Sequence, residues 1–224
     1  NIETSCESRE QAQATGSKWF PTNKGGQFRK WYGNNEFLVN WYNDGQEVLA
    51  YAADLYGSPT RTIKNINYYF RPSVSWGMVT SSSFSARYSP GGFLFDVGGP
   101  SAFPQAEHIF QICGLFNSAV FQRLITTVNP TLNFNSGDVA KLPLLEDILG
   151  DRHCVEQASL CVETHGKDWD AYERSWDFQS LPLLTASSEP TPTLESSYTA
   201  WIASNRDTIA EMKRLEEENN RLFI

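Results

Sequence analysis

Through the first half of the chain, apolar residues come in short alternating runs, and through the last third they recur at steps of three and four. That change of period predicts strands first and helices afterwards. Glu36 to Tyr42 reads as a strand ending at the turn signal Asn43-Asp44-Gly45, and Gln46 to Tyr56 as a helix stopped by Gly57-Ser58-Pro59. Phe70-Arg71-Pro72 interrupts the chain, because the residue before a proline avoids the helical region. Val74 to Thr80, Phe84 to Tyr88 and Phe93 to Val97 are three further β-like runs, with Ser89-Pro90-Gly91-Gly92 as the expected hairpin between the last two.

Ala106 to Val128 is apolar enough for a strand and a helix, or for one helix, closed by Asn129-Pro130. Phe134 and Lys141 to Leu144 read as short extended pieces, then Leu145 to Glu163 and Trp169 to Trp176 as helices. Leu184 to Thr193 is a Ser/Thr/Pro linker. Thr193 is a candidate N-cap for a closing helix whose apolar stripe is Trp201, Ile202, Ile209, Met212, Leu215 and Leu222. The expected division is a flexible lead-in over 1–17, a mixed-sheet domain with helices over 18–144, a helical segment over 145–184, a linker over 185–193 and a long helix over 194–224. No internal repeat is visible.

With 224 residues, 40% of them hydrophobic and 20% charged, the chain has the composition of a water-soluble domain with an adequate core. No apolar run approaches the ~20 residues of a membrane span, and Asn1-Ile2-Glu3-Thr4-Ser5 is no secretion signal, so a cytoplasmic location is expected, with no membrane partner. The missing initiator Met and the ending inside a helical pattern indicate a piece of a longer protein. Net charge is −8, but unevenly placed: residues 16–92 hold eight Lys/Arg against four carboxylates, and residues 93–224 hold nine against nineteen. Because salt screens charge beyond roughly 8–10 Å, the basic front half sets the field near its own surface.

The four cysteines, 6, 113, 154 and 161, read as reduced thiols. Cys154, Cys161 and His165, with His153 beside them, would share a helix face and invite a zinc reading, but the short two-cysteine knuckle of zinc sites is missing, and buried thiols on a helix are the better account. Asn129-Pro130-Thr131-Leu132 superficially matches the Asn-Pro-Pro-aromatic tetrapeptide of amino-methylating enzymes. It lacks the second proline and the stacking ring, which leaves a structural turn. Gly98-Gly99 has no strand-turn-helix context for a cofactor loop, and Glu211-Met212-Lys213 sits on a solvated helix without the partner acid of a nuclease. No Ser/His/Asp or Cys/His signature is present, so no catalytic centre is expected here.

One segment stands apart. Residues 18–34 carry four cations (Lys18, Lys24, Arg29, Lys30), no carboxylate, five aromatic rings and the Gly25-Gly26 pair. Cations reach phosphates and guanine edges, rings stack, and glycine lets backbone N–H groups approach an anion, which together suggest a nucleic-acid contact loop. The plain alternative is a surface hairpin whose rings are core. Other classes compatible with the composition are a sugar-binding module, from the seven Trp and nine Tyr, and a protein-interaction scaffold built on the closing helix.

Lys18-Trp19-Phe20-Pro21, Lys24-Gly25-Gly26-x-Phe28-Arg29-Lys30-Trp31-Tyr32-Gly33-Asn34, Val39-Asn40-Trp41 and Asn43-Asp44-Gly45 together resemble the post-catalytic region of the PglX-type adenine-specific DNA methyltransferases of BREX phage-defence systems and related type IIG restriction-modification enzymes. Tyr69 to Trp76, Phe93-x-Phe95-Asp96 with Gly98, Phe116-Asn117-Ser118, Asn129 to Phe134, Gly137-Asp138, Leu142-Pro143, Asp168-Trp169-Asp170 and Ser175 to Phe178 extend the resemblance from Lys18 to the C-terminus. It implies an α+β fold: a mixed β-sheet target-recognition domain of restriction-specificity type followed by C-terminal helices. It also implies a role as the DNA-reading part of a site-specific adenine-N6 methyltransferase, with S-adenosylmethionine and the catalytic domain in the parent chain, no cofactor in this piece, and double-stranded DNA as partner.

On that reading Lys18, Lys24, Arg29 and Lys30 are the phosphate and base-edge candidates, with Arg29 the best base reader because its planar fork engages guanine O6 and N7 together. Gly25 and Gly26 would cradle a phosphate, Trp31 and Tyr32 would stack or brace, Asn34 would address an adenine, and Arg71 and Arg87 would form a second contact set. The bland counterparts are a core role for Trp31 and an ion pair of Arg71 with Asp96.

Overall fold

A computed structural model describes residues 1–80, 82–144 and 146–224; the expected helix start at Leu145 lies outside the described residues. The first seventeen residues carry a short helix. Helix α1 (Arg9–Thr15) is capped by Ser8, whose hydroxyl accepts from the Gln11 N–H, and ends at Gly16 in the left-handed region. Cys6 and Ala12 are buried beneath it, and Arg9 pairs with Asp44.

Among the described residues six short strands follow: β1 (Trp19–Asn23), β2 (Leu38–Asn40), β3 (Ser73–Trp76), β4 (Ala86–Ser89), β5 (Leu94–Phe95) and β6 (Ser101–Ala102). They form two three-stranded sheets, so the fold is α+β. In the first, β1 lies between antiparallel β2 and parallel β5; in the second, β3 lies between antiparallel β4 and β6. Ser89-Pro90-Gly91-Gly92 is therefore not a hairpin. β4 pairs with β3 and β5 pairs with β1, and the turn carries the chain from one sheet to the other. Gly92 has φ 98°, and a side chain there would collide with the Thr4 carbonyl.

Helix α2 (Tyr42–Tyr56) begins with Asn43, Asp44 and Gly45 all at positive φ, so regular helix starts at Gln46. A Cβ on Gly45 would lie 2.7 Å from the Trp41 ring. Two 3-10 turns, Pro59–Arg61 and Ile66–Tyr68, lead to β3.

The apolar run 106–128 is two helices, α3 (Ile109–Asn117) and α4 (Ala119–Val128). Ser118 makes the break: with an extended backbone it donates to the Leu115 carbonyl (2.7 Å) and caps α4 by accepting from the Phe121 N–H (3.1 Å). Asn117 ties α3 to β4, accepting from the Ala86 N–H (3.1 Å) and donating to the Ala86 carbonyl (3.0 Å). Asn129 folds the next turn by bonding Thr131, Asn133 and Asp138, the structural turn that the sequence suggested.

The helical remainder comprises α5 (Ser136–Val139), α6 (Glu146–Leu149), α7 (Arg152–Asp170), α8 (Pro182–Thr185) and α9 (Leu194–Arg221). The helix expected over Trp169 to Trp176 does not form: only Trp169 and Asp170 are helical, as the end of α7, and 171–176 are turns. The run expected as one helix through Glu163 is split at Gly150-Asp151, where Asp151 caps α7. Helix α9 is capped by Thr193 in a reciprocal Thr193–Ser196 capping box. The larger core joins Val74 and Trp76 of β3, Ala86, several residues of α3, Phe121 and Ile125 of α4, Ala158 and Cys161 of α7, and Leu215 of α9. A smaller core gathers Cys6, Phe20, Trp41, Tyr69, Phe70 and Leu94. Of the α9 stripe only Leu215 is fully buried; Ile202 and Ile209 are exposed. Among the described residues no helix is long and apolar enough to cross a membrane.

Candidate nucleic-acid interface

Residues 24–34 fold back on themselves before they meet anything else. Asn34, at φ 61°, donates from its side chain to the Gln27 carbonyl (2.9 Å), and a Cβ on Gly26 would sit 2.8 Å from that same amide. Gly25 lies against the Gly98 carbonyl. A Cβ at Gly25 would press on backbone, one at Gly26 only on the end of the Asn34 side chain, and neither backbone N–H is engaged by another group among the described residues.

The second half of the segment turns inward. The Arg29 guanidinium donates to the Tyr32 carbonyl (2.8 Å), the His165 carbonyl (3.3 Å) and Asp168 Oδ2 (2.7 Å), and lies 5.0 Å from the Trp169 ring centroid. Arg174 covers another side of that ring at 4.4 Å, so Asp168-Trp169 forms a built socket for Arg29. Lys30 Nζ reaches Glu216 Oε2 (2.9 Å), and the Trp31 indole N–H donates to Glu216 Oε1 (3.1 Å). Trp31 is fully buried and bridges Arg87 of β4 through backbone bonds to Ala86 and Tyr88. Tyr32 is half-buried; burial, followed by the charges of Asp170 and Asp177, pushes its hydroxyl pKa up.

These positions correct the open-loop picture of Arg29, Lys30, Trp31, Tyr32 and Asn34. The acids that neutralise the two cations and the rings that pack on them come from α7 and α9, far along the chain. Arg87 is likewise interior, 3% exposed, without a carboxylate partner among the described residues; burial, then the nearby Arg29 charge, lowers its pKa to about 10. It still carries its proton at neutral pH.

The outward set is different. Lys18 is half-buried, with Glu47 at 3.5 Å. Lys24 and Arg71 are exposed and, among the described residues, have no carboxylate partner; Arg71 does not pair with Asp96. Arg61 and Lys64, which sequence reading counted as charge but did not single out, share that state. Three of these cations lie over exposed rings: Lys24 on Phe37 at 5.3 Å, Arg61 on Tyr56 at 5.8 Å and Arg71 on Tyr68 at 5.4 Å. The signal available in sequence was the spacing Tyr56/Arg61 and Tyr68/Arg71.

Lys24 and Lys64 line one cleft of about 560 Å³. The cleft connects to Arg71 through touching rings: Phe95 on Phe103 (5.0 Å), Phe103 on Tyr68 (4.9 Å). Lys24, Lys64 and Arg71 are thus linked through the cleft and its chain of rings, and Arg61 immediately precedes the cleft-lining Thr62.

The chemistry set aside in sequence is structurally occupied. Asp96 Oδ1 accepts from the Gly98 and Gly99 N–H groups (2.7 and 3.1 Å), and a Cβ on Gly99 would strike the Asn23 backbone. The Gly98 and Gly99 N–H groups are thus already engaged within the turn. Cys154 and Cys161 are buried thiols on α7, and burial is the main cause of their raised pKa values, about 11 and 12. Among the described residues no cluster of three His, Cys, Asp or Glu side chains is arranged to hold a metal.

No family model matches the chain. It is 36% identical over 209 residues to the adenine-specific methyltransferase PglX of Lacticaseibacillus casei (strain Zhang), across 92% of this chain and 17% of that protein. It is 37% identical over 171 residues to the adenine-specific methyltransferase BrxX of Escherichia coli O9:H4 (strain HS), across 75% of this chain and 13% of that protein. Both of these relatives are named as adenine-specific methyltransferases. The chain is a homologue of one segment of each, and it spans 17% and 13% of the lengths of these curated relatives.

Proposed function

We propose that this chain is the sequence-reading part of a PglX-type, S-adenosylmethionine-dependent adenine-N6 DNA methyltransferase acting in phage defence, with a mixed-sheet target-recognition fold of restriction-specificity type. It acts in the cytoplasm beside the catalytic domain of its parent, and its partner is double-stranded DNA. The single observation that carries this reading is the face bearing Lys24, Arg61, Lys64 and Arg71, exposed cations that no carboxylate neutralises among the described residues and that sit on or beside half-exposed rings. Phosphate contacts from such a face supply affinity, while a few contacts to base edges discriminate by about 1–3 kcal/mol each. Lys18 and the unengaged N–H groups of Gly25 and Gly26 lie beside it as further phosphate donors.

The test is fluorescence anisotropy on a duplex containing the parent's methylation site, from low to physiological salt. Lys24→Gln, Lys64→Gln and Arg71→Gln each weaken binding and each flatten the log–log salt slope by roughly one unit. Salt-independent binding, or three unchanged slopes, would refute the assignment.

A second reading is favoured by one observation. Leu194, Tyr198, Ile202 and Ile209 leave an apolar strip of α9 exposed, which suits a protein partner better than DNA. It is compatible with the first, since a reading domain must also be held by its catalytic neighbour.

A further inference from the structure

The cleft flanked by Lys24 and Lys64 has more structure than phosphate binding requires. Its floor is apolar, formed by Val39, Trp41, Leu94 and Phe95, and its volume of about 560 Å³ falls within the ~300–1,000 Å³ of sites for small organic molecules. The Phe37 ring lines it, 40% exposed, with the Lys24 ammonium 5.3 Å from its centroid. The polar groups divide into two sets. Asn135 is engaged as the cap of α5, and one oxygen of Asp96 is held by the glycine turn. The side chains of Thr22, Thr62, Asn65 and Lys64 make no hydrogen bond among the described residues.

We propose that this cleft is a nucleotide subsite, taking one unstacked base of the bound DNA strand with the adjoining phosphate on Lys24 and Lys64. The inference rests on the DNA-contact reading above and deepens it. A base presents a flat apolar face to Phe37, which the Lys24 ammonium vacates for the phosphate, and hydrogen-bonding edges to Asn65 and the two threonines. Stacking of a base on an aromatic side chain is sequence-tolerant and contributes about 1–3 kcal/mol. Two cations against one locally engaged carboxylate favour a phosphodiester over a neutral sugar or an acyl chain. A single unstacked base held here gives the parent an anchor on the strand apart from its catalytic pocket.

Isothermal titration with dAMP, dTMP and deoxyribose 5-phosphate tests the subsite by itself, and anisotropy with duplex DNA tests the reading beneath it. The nucleotides bind saturably with one site per chain, and the sugar phosphate binds at least tenfold more weakly. Thr62→Trp, which fills the cleft from a solvent-exposed position, abolishes nucleotide binding with the far-UV CD melting curve retained. Lys64→Gln, at an exposed side chain with no partner to lose, weakens it several-fold and covers the case in which the tryptophan variant misfolds. Equal binding of nucleotide and sugar phosphate, or nucleotide binding indifferent to both variants, overturns the subsite. Duplex binding without nucleotide binding overturns the subsite alone and leaves the DNA-contact reading standing. Nucleotide binding without duplex binding overturns both, since no strand would then deliver the base.

Discussion

Replacing Arg29 by alanine should damage the fold far more than it damages any surface charge. The Arg29–Asp168 pair has side chains 16% and 34% exposed. It therefore falls between a surface pair, worth up to ~1 kcal/mol, and a buried one, whose breaking costs about 3–5 kcal/mol. The charge-assisted bond to the Tyr32 carbonyl adds about 1.5–3 kcal/mol, and the Trp169 stack about 1 kcal/mol. One side chain makes all three contacts, so they do not sum fully, and the expected loss is about 3–5 kcal/mol. Against a domain stability of roughly 5–15 kcal/mol that is a large share. Urea unfolding followed by tryptophan fluorescence reads it as a lowered midpoint at nearly constant m-value. Arg29→Lys recovers less than half, because an ammonium cannot engage the carboxylate, two carbonyls and the ring at once. Lys24→Ala, at an exposed side chain, stays within about 0.5 kcal/mol. An Arg29→Ala protein as stable as the Lys24→Ala protein would refute the claim that Asp168-Trp169 is a socket for Arg29.

Two further outcomes follow from buried groups. Asn117→Ala strips the Ala86 N–H of its partner in the interior, while the Ala86 carbonyl keeps its bond from the Trp31 N–H, at a cost of about 1–3 kcal/mol, and the Ala86 amide loses most of its hydrogen-exchange protection; retained protection would show that another group closes that gap. His165 has its pKa lowered, chiefly by burial, against the opposing carbonyl of Cys161 and charges of Glu216 and Asp168, while Arg29 adds to the lowering. The unfolded chain then binds more protons below about pH 6.5, so this contribution is intact above that pH and declines as pH falls towards the lower folded value. Chemical denaturation at pH 7.5 and 5.5 should show a loss that His165→Gln reduces; identical pH dependence in the two proteins would contradict it.

The features legible in sequence were those decided by neighbours in the chain. The Thr193 start of α9, the Asn43-Asp44-Gly45 turn, the Asn129-Pro130 turn and the buried thiols of α7 all follow from local hydrogen-bonding, backbone and burial rules. Pro90-Gly91-Gly92 signalled a turn correctly, but a turn signal does not say whether the next strand returns to its predecessor or joins another sheet. Ser118 was not read as a break because the chain is apolar on both sides of the Asn117-Ser118 pair, and only its capping bond distinguishes two helices from one. The basic segment was the harder case. Arg29 and Lys30 find their acids 139 and 186 positions away, beyond the reach of any local charge count, so four similar cations looked alike.

That division of labour within one segment has a mechanical consequence. Lys24 and Gly25-Gly26 extend from a loop whose far half is clamped by Arg29 to α7 and by Lys30 and Trp31 to α9. A reader of base edges needs its donors held to within a fraction of an ångström, and a glycine pair by itself cannot supply that. The clamp can, because Trp31 is fully buried and Arg29 has three separate acceptors. On the proposed function, loss of Arg29 therefore weakens DNA binding without direct contact to DNA. The number of phosphates contacted is unchanged, so the salt slope stays near the wild-type value while affinity falls, opposite to the signature of Lys24. On that reading two cations of one short segment do physically separable jobs, and the slope of one plot tells them apart.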